Sequence, residues 1–234
     1  MALAFVTGGS RGLGYATAKG LKDKGFELVL FSKQSDRLQS AAAELGAHYE
    51  VVDLEDLTQT AEVFKSAVEK HGVPDVLMLA HGVMSDRMSK TLKTNLAEWR
   101  RVMAINLDSV FVIVNGVGAA MAEARKGRII IYSACLGRMS GPGNAGGLAP
   151  YRISKAGVNA LVRNLSHEVG HGARGLWVDA ICPNHSRTDM GGPEAPRSAD
   201  EGAETAIWLA TRELTPGATQ TGLLWEDQIG RAHV

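Results

Sequence analysis

Tyr151 and Lys155 stand four residues apart in YRISKAG, at the start of a stretch with helical periodicity. That spacing stacks both side chains on one helix face. A free tyrosine has a pKa of about 10. A nearby ammonium favours the phenolate, so the phenol could exchange a proton with a carbonyl oxygen near neutral pH. Taken alone, the pair reads more readily as an exposed tyrosine and lysine on an amphipathic helix. Upstream, TGGSRGLG (7–14) joins an apolar run to a helical stretch. Its glycines would let the backbone approach a pyrophosphate, and a helix N-terminus presents N–H groups and a positive dipole end. Ser133 offers a hydroxyl where the apolar run of IIIYSACLG (129–137) ends. It is either a catalytic donor or a strand-end serine bonded to backbone. HEVGH (167–171) matches the zinc-protease spacing, which needs both histidines on one face of a continuing helix. Gly170 and Gly172 flank His171, so the helix is expected to end there, and no metal site is expected. No G-x-S-x-G turn surrounds Ser133, which argues against a serine hydrolase.

Apolar runs that alternate with helical periodicity must position these groups. Strands are expected at 2–7, 27–32, 48–52, 75–80, 127–133 and 174–181, with a last one at 222–226. Helices are expected from the glycine turn to about Lys24, then over 36–45, about 57–70, about 96–122 and 151–169. Ser198-Ala-Asp-Glu201 reads as a capping box opening a short helix to Thr211. Strands this apolar are buried on both faces. The expected fold is therefore α/β: one Rossmann-type domain over 1–234, a doubly wound parallel sheet with helices on both faces. Two loops follow strands at their carboxyl ends, where open parallel sheets bind ligands: 134–150, rich in glycine, and 182–198, rich in proline and glycine.

The 234 residues are 45% hydrophobic and carry 25 basic against 25 acidic side chains, so no net charge steers the chain toward nucleic acid or an acidic membrane. The two cysteines, Cys135 and Cys182, have no paired spacing, which suits a reduced, cytoplasmic protein. The run Ala2 to Val6 is too short for a signal peptide or a membrane span.

TGGSRGLG resembles the TGxxxGxG turn of the short-chain dehydrogenase/reductase family. The resemblance continues through Asp53, Asn106 in INLDSVF, Tyr151 and Lys155 in YRISKAG, and Thr188 in RTDM, in the family's order across nearly the whole chain. It implies a nicotinamide cofactor on Gly8, Ser10, Arg11, Gly12, Leu13, Gly14, Ser32, Lys33, Asp53, Leu54, Ala80, His81, Gly82, Tyr151, Lys155, Pro183, Asn184, Ser186 and Thr188. Tyr151 would be the acid and Lys155 its tuner and ribose holder. Asn106 would hold a water in the proton path, and Asp53 would contact the adenine. An NAD site wants a carboxylate at the end of the second strand. Here that strand ends in Ser32 and Lys33, and Arg11 lies in the turn, so NADPH is expected. The alternative is two solvated surface cations.

The chain departs from the family pattern in three places. Leu79-Ala80-His81-Gly82 stands where the family has Asn-Asn-Ala-Gly, and Pro183-Asn184-His185-Ser186 where it has Pro-Gly and an apolar pair. His81 then reads as a structural or cofactor-edge residue, and Asn184 tolerates a left-handed backbone. Ala134 occupies the place of the serine that polarises the substrate carbonyl, with Ser133 one residue early. Either a bulge aims Ser133 at the substrate, the option favoured here, or that bond is missing. Ser140 is a weaker substitute. GGLAPYRISKAGVNAL and the stretch from Arg187 look like the carbonyl-reductase-like branch. This implies NADPH-driven reduction of a hydrophobic ketone, aldehyde or 3-oxoacyl compound, a mobile substrate lid at about 183–199 carrying Met190, a pocket lined in part by His185, and a homodimer or homotetramer. The rival reading is a catalytically weak NADP(H)-binding sensor.

Overall fold

A computed structural model describes residues 1–86, 89–141 and 145–231. Residues 142–144 of the glycine-rich loop and the end of the tail lie outside the described residues. Eight strands form one sheet: β1 (Leu3–Thr7), β2 (Glu27–Ser32), β3 (His48–Val51), β4 (Val76–Leu79), β5 (Gly127–Tyr132), β6 (Leu176–Ile181), β7 (Leu224–Glu226) and β8 (Ile229–Arg231). Their order is β3-β2-β1-β4-β5-β6-β7-β8. All neighbours are parallel except β7 and β8. The strand order reverses between β1 and β4, which opens a crevice at the carboxyl ends of those strands.

Side-chain alternation along the strands sends residues into two separate cores. Phe5, Phe31, Leu77, Ile129, Ile131 and Val178 face α3 (Leu57–His71), α4 (Leu96–Glu123) and α5 (Ala149–Glu168). There Phe31 stacks on Phe64 with ring centroids 4.3 Å apart. Ala4, Val6, Leu28, Leu30, Met78 and Ile130 face α1 (Gly12–Asp23), α2 (Ser35–Leu45) and α6 (Ala199–Thr211). Two-sided burial fails at the edge strand β3, where Tyr49 and Val51 are exposed because no strand lies beyond them. The capping box forms as expected: Glu201 N–H donates to Ser198 Oγ at 3.1 Å, and Ser198 N–H to Glu201 Oε2 at 2.6 Å.

Helix α4 is long and apolar enough to cross a membrane, yet Val102, Val110, Ile113, Val117 and Met121 pack into the core. It contains two π-turns, Ala104–Asp108 and Val114–Gly118. β8 is a hairpin return absent from the sequence expectation. Asp227 (φ 50°) and Gln228 (φ 62°) form its two-residue turn with left-handed backbone at both positions. A buried ion pair anchors this end of the sheet. Arg212 lies 3.1 Å from Asp179 and stacks against Trp208 and Trp225, while Trp225 Nε1–H donates to Asp179 at 2.8 Å.

Candidate active site

The glycine turn closes so tightly that a side chain would break it. Gly8 (φ 66°) and Gly12 (φ 56°) have left-handed backbone, and a Cβ on Gly14 would lie 2.3 Å from Gly8 O. Arg11 precedes α1 and gives its first turn no side-chain cap, which leaves that turn's N–H groups available to an anion. The loops from the other strands meet this turn. A Cβ on Gly8 would touch Ala80 O at 3.1 Å, and one on Gly12 would touch Thr188 Cγ2 at 3.3 Å. Ser186 is buried against α6 and Leu13, where a Cβ on Gly202 would lie 2.3 Å from Ser186 Oγ and 2.7 Å from Leu13. Its hydroxyl donates to Pro183 O at 3.1 Å. Asn184 does adopt the left-handed backbone (φ 58°). The residues present therefore fit a dinucleotide: a cradle only glycine permits, at a helix N-terminus, in the crevice where strand order reverses.

At the end of β2, Ser32 Oγ and Ser10 Oγ are 2.9 Å apart. The two cations expected there already have carboxylate partners. Lys33 Nζ lies 2.5 Å from Asp53, and Arg11 pairs with Asp189. Asp53 is thus engaged with Lys33, and the Leu54 side chain is in the core.

The catalytic candidates converge on α5 and the first π-turn of α4. Asn106 accepts from Val83 N–H at 2.8 Å and donates to Val83 O at 2.9 Å and to Ser154 Oγ at 3.1 Å. A π-turn in an α-helix commonly marks a functional position. Gly82 sits between the groups: a Cβ there would lie 3.4 Å from Asn106 Oδ1 and 3.5 Å from Lys155 Nζ. Lys155 is buried and donates to Tyr132 O at 2.7 Å, and burial lowers its pKa to about 8. Its Nζ lies 5.9 Å from the centre of the Tyr151 ring.

Two expectations are corrected here. Burial pushes the Tyr151 phenol up, with the Cys182 and Cys135 thiols adding to it, and outweighs the pull of the Lys155 ammonium beside its ring. Desolvation of both groups outweighs one charge at that distance, and Tyr151 is a protonated phenol at neutral pH. Ser133 is not aimed at a substrate. It is buried, and its hydroxyl donates to Asn159 Oδ1 on α5 at 2.6 Å, with Lys155 O at 3.3 Å. No bulge rescues the one-residue offset, and Ala134 brings no hydroxyl. Ser140 is exposed in the following loop.

His81 has a role that the sequence only outlined. Its Nδ1 lies 2.7 Å from Thr7 Oγ1 and its Nε2 3.0 Å from Ser109 Oγ. Ser109 spends its own proton on Ile105 O at 2.7 Å, so Nε2–H donates to Ser109 and Nδ1 accepts from Thr7. Burial, with the Lys155 charge behind it, drops the imidazole pKa to about 3. A neutral histidine thus ties β1 to α4, the linking task that Leu79 and Ala80 cannot perform. Asn159, Ser154, Thr7 and Ser109 were not singled out from sequence. The last two had no signal beyond being hydroxyls in apolar segments. His185 is exposed and bonds Gly191 O at 2.8 Å within its own loop. The loop is drawn together by a bridge between Ser186 and Arg197 and by Arg187 on Ala195 O and Pro196 O. In HEVGH the helix ends at Glu168, and His171 (φ 48°) turns back onto Ser166 and His167, at 3.0 and 2.9 Å.

A glycine-cradled helix N-terminus facing a buried tyrosine–lysine–asparagine group defines a dinucleotide-dependent oxidoreductase. The short chain dehydrogenase model matches residues 2–199, and the chain belongs to the short-chain dehydrogenase/reductase family. It is 32% identical over 190 residues to the 3-oxoacyl-(acyl-carrier-protein) reductase FabG of Escherichia coli (strain K12), covering 80% of this chain and 75% of that one. It is also 32% identical over 191 residues to a galactitol 2-dehydrogenase (L-tagatose-forming) of Cereibacter sphaeroides, covering 81% and 73%. Among solved structures, an actinorhodin polyketide ketoreductase with NADPH superposes with a TM-score of 0.79 at 25% identity, covering 90% of each chain. The family acts through NAD(P)-dependent carbonyl–alcohol chemistry.

Proposed function

We propose that this chain reduces the carbonyl of a hydrophobic ketone, aldehyde or 3-oxoacyl compound, with NADPH as cofactor and Tyr151 as proton donor. The observation that carries this reading is the protonated, buried phenol beside Lys155 and the Asn106–Gly82 gap, at the carboxyl ends of the strands. When bound on the glycine turn, NADPH would supply the hydride that the carbonyl carbon takes up. Tyr151 Oη donates its proton to the carbonyl oxygen. Lys155, charged at neutral pH and close to the ring, stabilises the phenolate left behind and holds ribose hydroxyls. Asn106 orders the groups through which Tyr151 regains a proton. The Gly8–Gly14 turn binds the pyrophosphate, and the loops Ala80–Gly82 and Pro183–Thr188 border the nicotinamide half.

NADPH is favoured over NADH because β2 ends without an acid, Ser10 and Ser32 meet there, Lys33 follows directly and Arg11 lies in the glycine turn. Binding a 2′-phosphate would require Lys33 and Arg11 to exchange Asp53 and Asp189 for it, a swap open to exposed pairs. The named activities of the relatives, one on 3-oxoacyl groups and one on a polyol, support carbonyl–alcohol chemistry, and the first of them supports the 3-oxoacyl member of the class. The loop at about 183–199 is the substrate lid. Exposed Phe111 on α4 and Ile153 on α5 suit a homodimer or homotetramer in the cytoplasm. One observation favours the rival reading, a weakly catalytic NADP(H)-binding sensor: Ala134 leaves the carbonyl without its hydroxyl donor.

The test is NADPH consumption over a panel of hydrophobic ketones, aldehydes and 3-oxoacyl thioesters, with Tyr151→Phe as control. The expected result is turnover that falls about 10²–10⁴-fold in the variant, the usual worth of a general acid, while NADPH affinity is retained. Tight NADPH binding without turnover on any member would replace this reading with the sensor.

A further inference from the structure

We propose that Cys135 and Cys182 are a reversible disulfide site beside Tyr151, oxidised by small-molecule disulfides and closing the enzyme to turnover when it forms. The two residues are 47 positions apart in sequence, and the sheet brings them together. β5 and β6 run in register to Tyr132 and Ile181, and Ser133 N–H still donates to Ile181 O at 2.8 Å. The chain then enters the single turn Cys135–Gly137, whose first N–H donates to Cys182 Sγ at 3.1 Å. A sulfur that close to the Cys135 nitrogen is within reach of the Cys135 side chain. Cys182 lies level with Ser133, and the turn after β5 brings Cys135 back over it.

The two thiols are unequal in a way that suits exchange. Cys135 is partly exposed and Cys182 is buried. The hydrogen bond from Cys182 and the nearby Arg138 favour the thiolate on Cys135, against burial and Glu226, while the same bond and burial hold Cys182 protonated. The thiolate is the attacking species. Cys135 attacks one sulfur of a small disulfide such as glutathione disulfide, forms a mixed disulfide and releases one glutathione thiolate. Cys182 then loses its proton and attacks the Cys135 sulfur, expelling the second glutathione. Two electrons pass from the protein thiols to the oxidant, which leaves as two thiols.

The site's surroundings give the bond its consequence. The Cys135–Gly137 turn packs on the catalytic helix so closely that a Cβ on Gly137 would lie 2.6 Å from Lys155 C and 2.7 Å from Ala156 N. Cys182 opens the Pro183–Ser186 loop, and the Tyr151 phenol feels both sulfurs. A covalent tie between the β5 turn and the β6 loop therefore moves the backbone that carries Lys155. This closing role rests on the reductase reading above; the disulfide itself does not.

The experiment incubates the full chain in glutathione buffers of increasing oxidised fraction, blocks remaining thiols with an alkylating agent and reads the intact mass. The expected result is that the wild type loses two hydrogens and both alkylation sites together and recovers them in dithiothreitol. Cys182→Ala should stop at a glutathione adduct on Cys135, and Cys135→Ser should stay reduced and alkylated once. A wild-type chain that keeps two alkylatable thiols in the most oxidised buffer, or stops at a stable adduct, overturns the proposal. NADPH turnover is read on the same samples and should fall at least about tenfold with the disulfide fraction. A complete disulfide with undiminished turnover overturns the closing role. A reduced chain without turnover counts against the reductase reading alone, since the mass still decides the disulfide.

Discussion

Two neighbouring strand ends, after β4 and after β5, both depart from the family pattern, and the fold treats them differently. After β4 the missing asparagines are replaced. His81 reaches Thr7 on one side and Ser109 on the other, so the sheet stays tied to α4. After β5 the missing hydroxyl is not replaced. Ser133 is one residue away from the required position and spends its proton on Asn159. A tie between elements can be rebuilt from another position because only its endpoints matter. A donor aimed at a substrate cannot, because one residue along a strand reverses the side chain's direction. Under the proposed function, Tyr151 and Lys155 are thus left with more of the chemistry than a complete constellation would give them.

The largest effect that sharpens this contrast is chemical: the loss in Tyr151→Phe, read as turnover against unchanged NADPH affinity. Next comes the tie after β4. His81→Leu removes two buried hydrogen bonds and should cost about 2–4 kcal/mol, seen as a lower melting temperature. A variant as stable as the wild type would show that the tie is idle.

The same histidine predicts a pH effect. Its pKa falls from 6.5 to about 3 on folding, so between those values the unfolded chain binds a proton that the folded chain refuses. Its stabilising contribution is complete above pH 6.5 and is lost as pH falls toward 3, at up to about 1.4 kcal/mol per pH unit. Denaturant midpoints between pH 4 and 6.5 should therefore slope less in His81→Leu than in wild type. Equal slopes would remove His81 as the source. The smallest effect is at the far end of the cofactor site. Lys33→Ala should weaken NADPH by roughly three- to fivefold, the scale of an exposed charge contact, and NADH less. Equal weakening of both would refute a 2′-phosphate contact.

The sheet, both helix layers and the phosphate turn were legible because burial, period and glycine placement are local properties of the chain. The Ser198 capping box and the left-handed Asn184 were legible for the same reason. The β8 hairpin was missed because its turn, Asp227-Gln228, uses left-handed backbone without a glycine. The π-turn at Asn106 was missed because one extra residue in a helical turn hardly disturbs an apolar stripe. The direction of Ser133 and the raised Tyr151 phenol could not be read from spacing. Both depend on what α5 and the thiols of two other loops bring against them, which is tertiary information.

The most direct test of the account is to restore the hydroxyl where the family has it and remove it where this chain has it. Ala134→Ser and Ser133→Ala are assayed for kcat with NADPH and the best substrate of the panel. The account predicts that Ala134→Ser raises kcat about tenfold or more, as a donor placed on the developing oxyanion should, while Ser133→Ala changes kcat less than about twofold and only lowers stability by about 1 kcal/mol. Loss of turnover in Ser133→Ala, with no gain in Ala134→Ser, would contradict it and make Ser133 the catalytic donor.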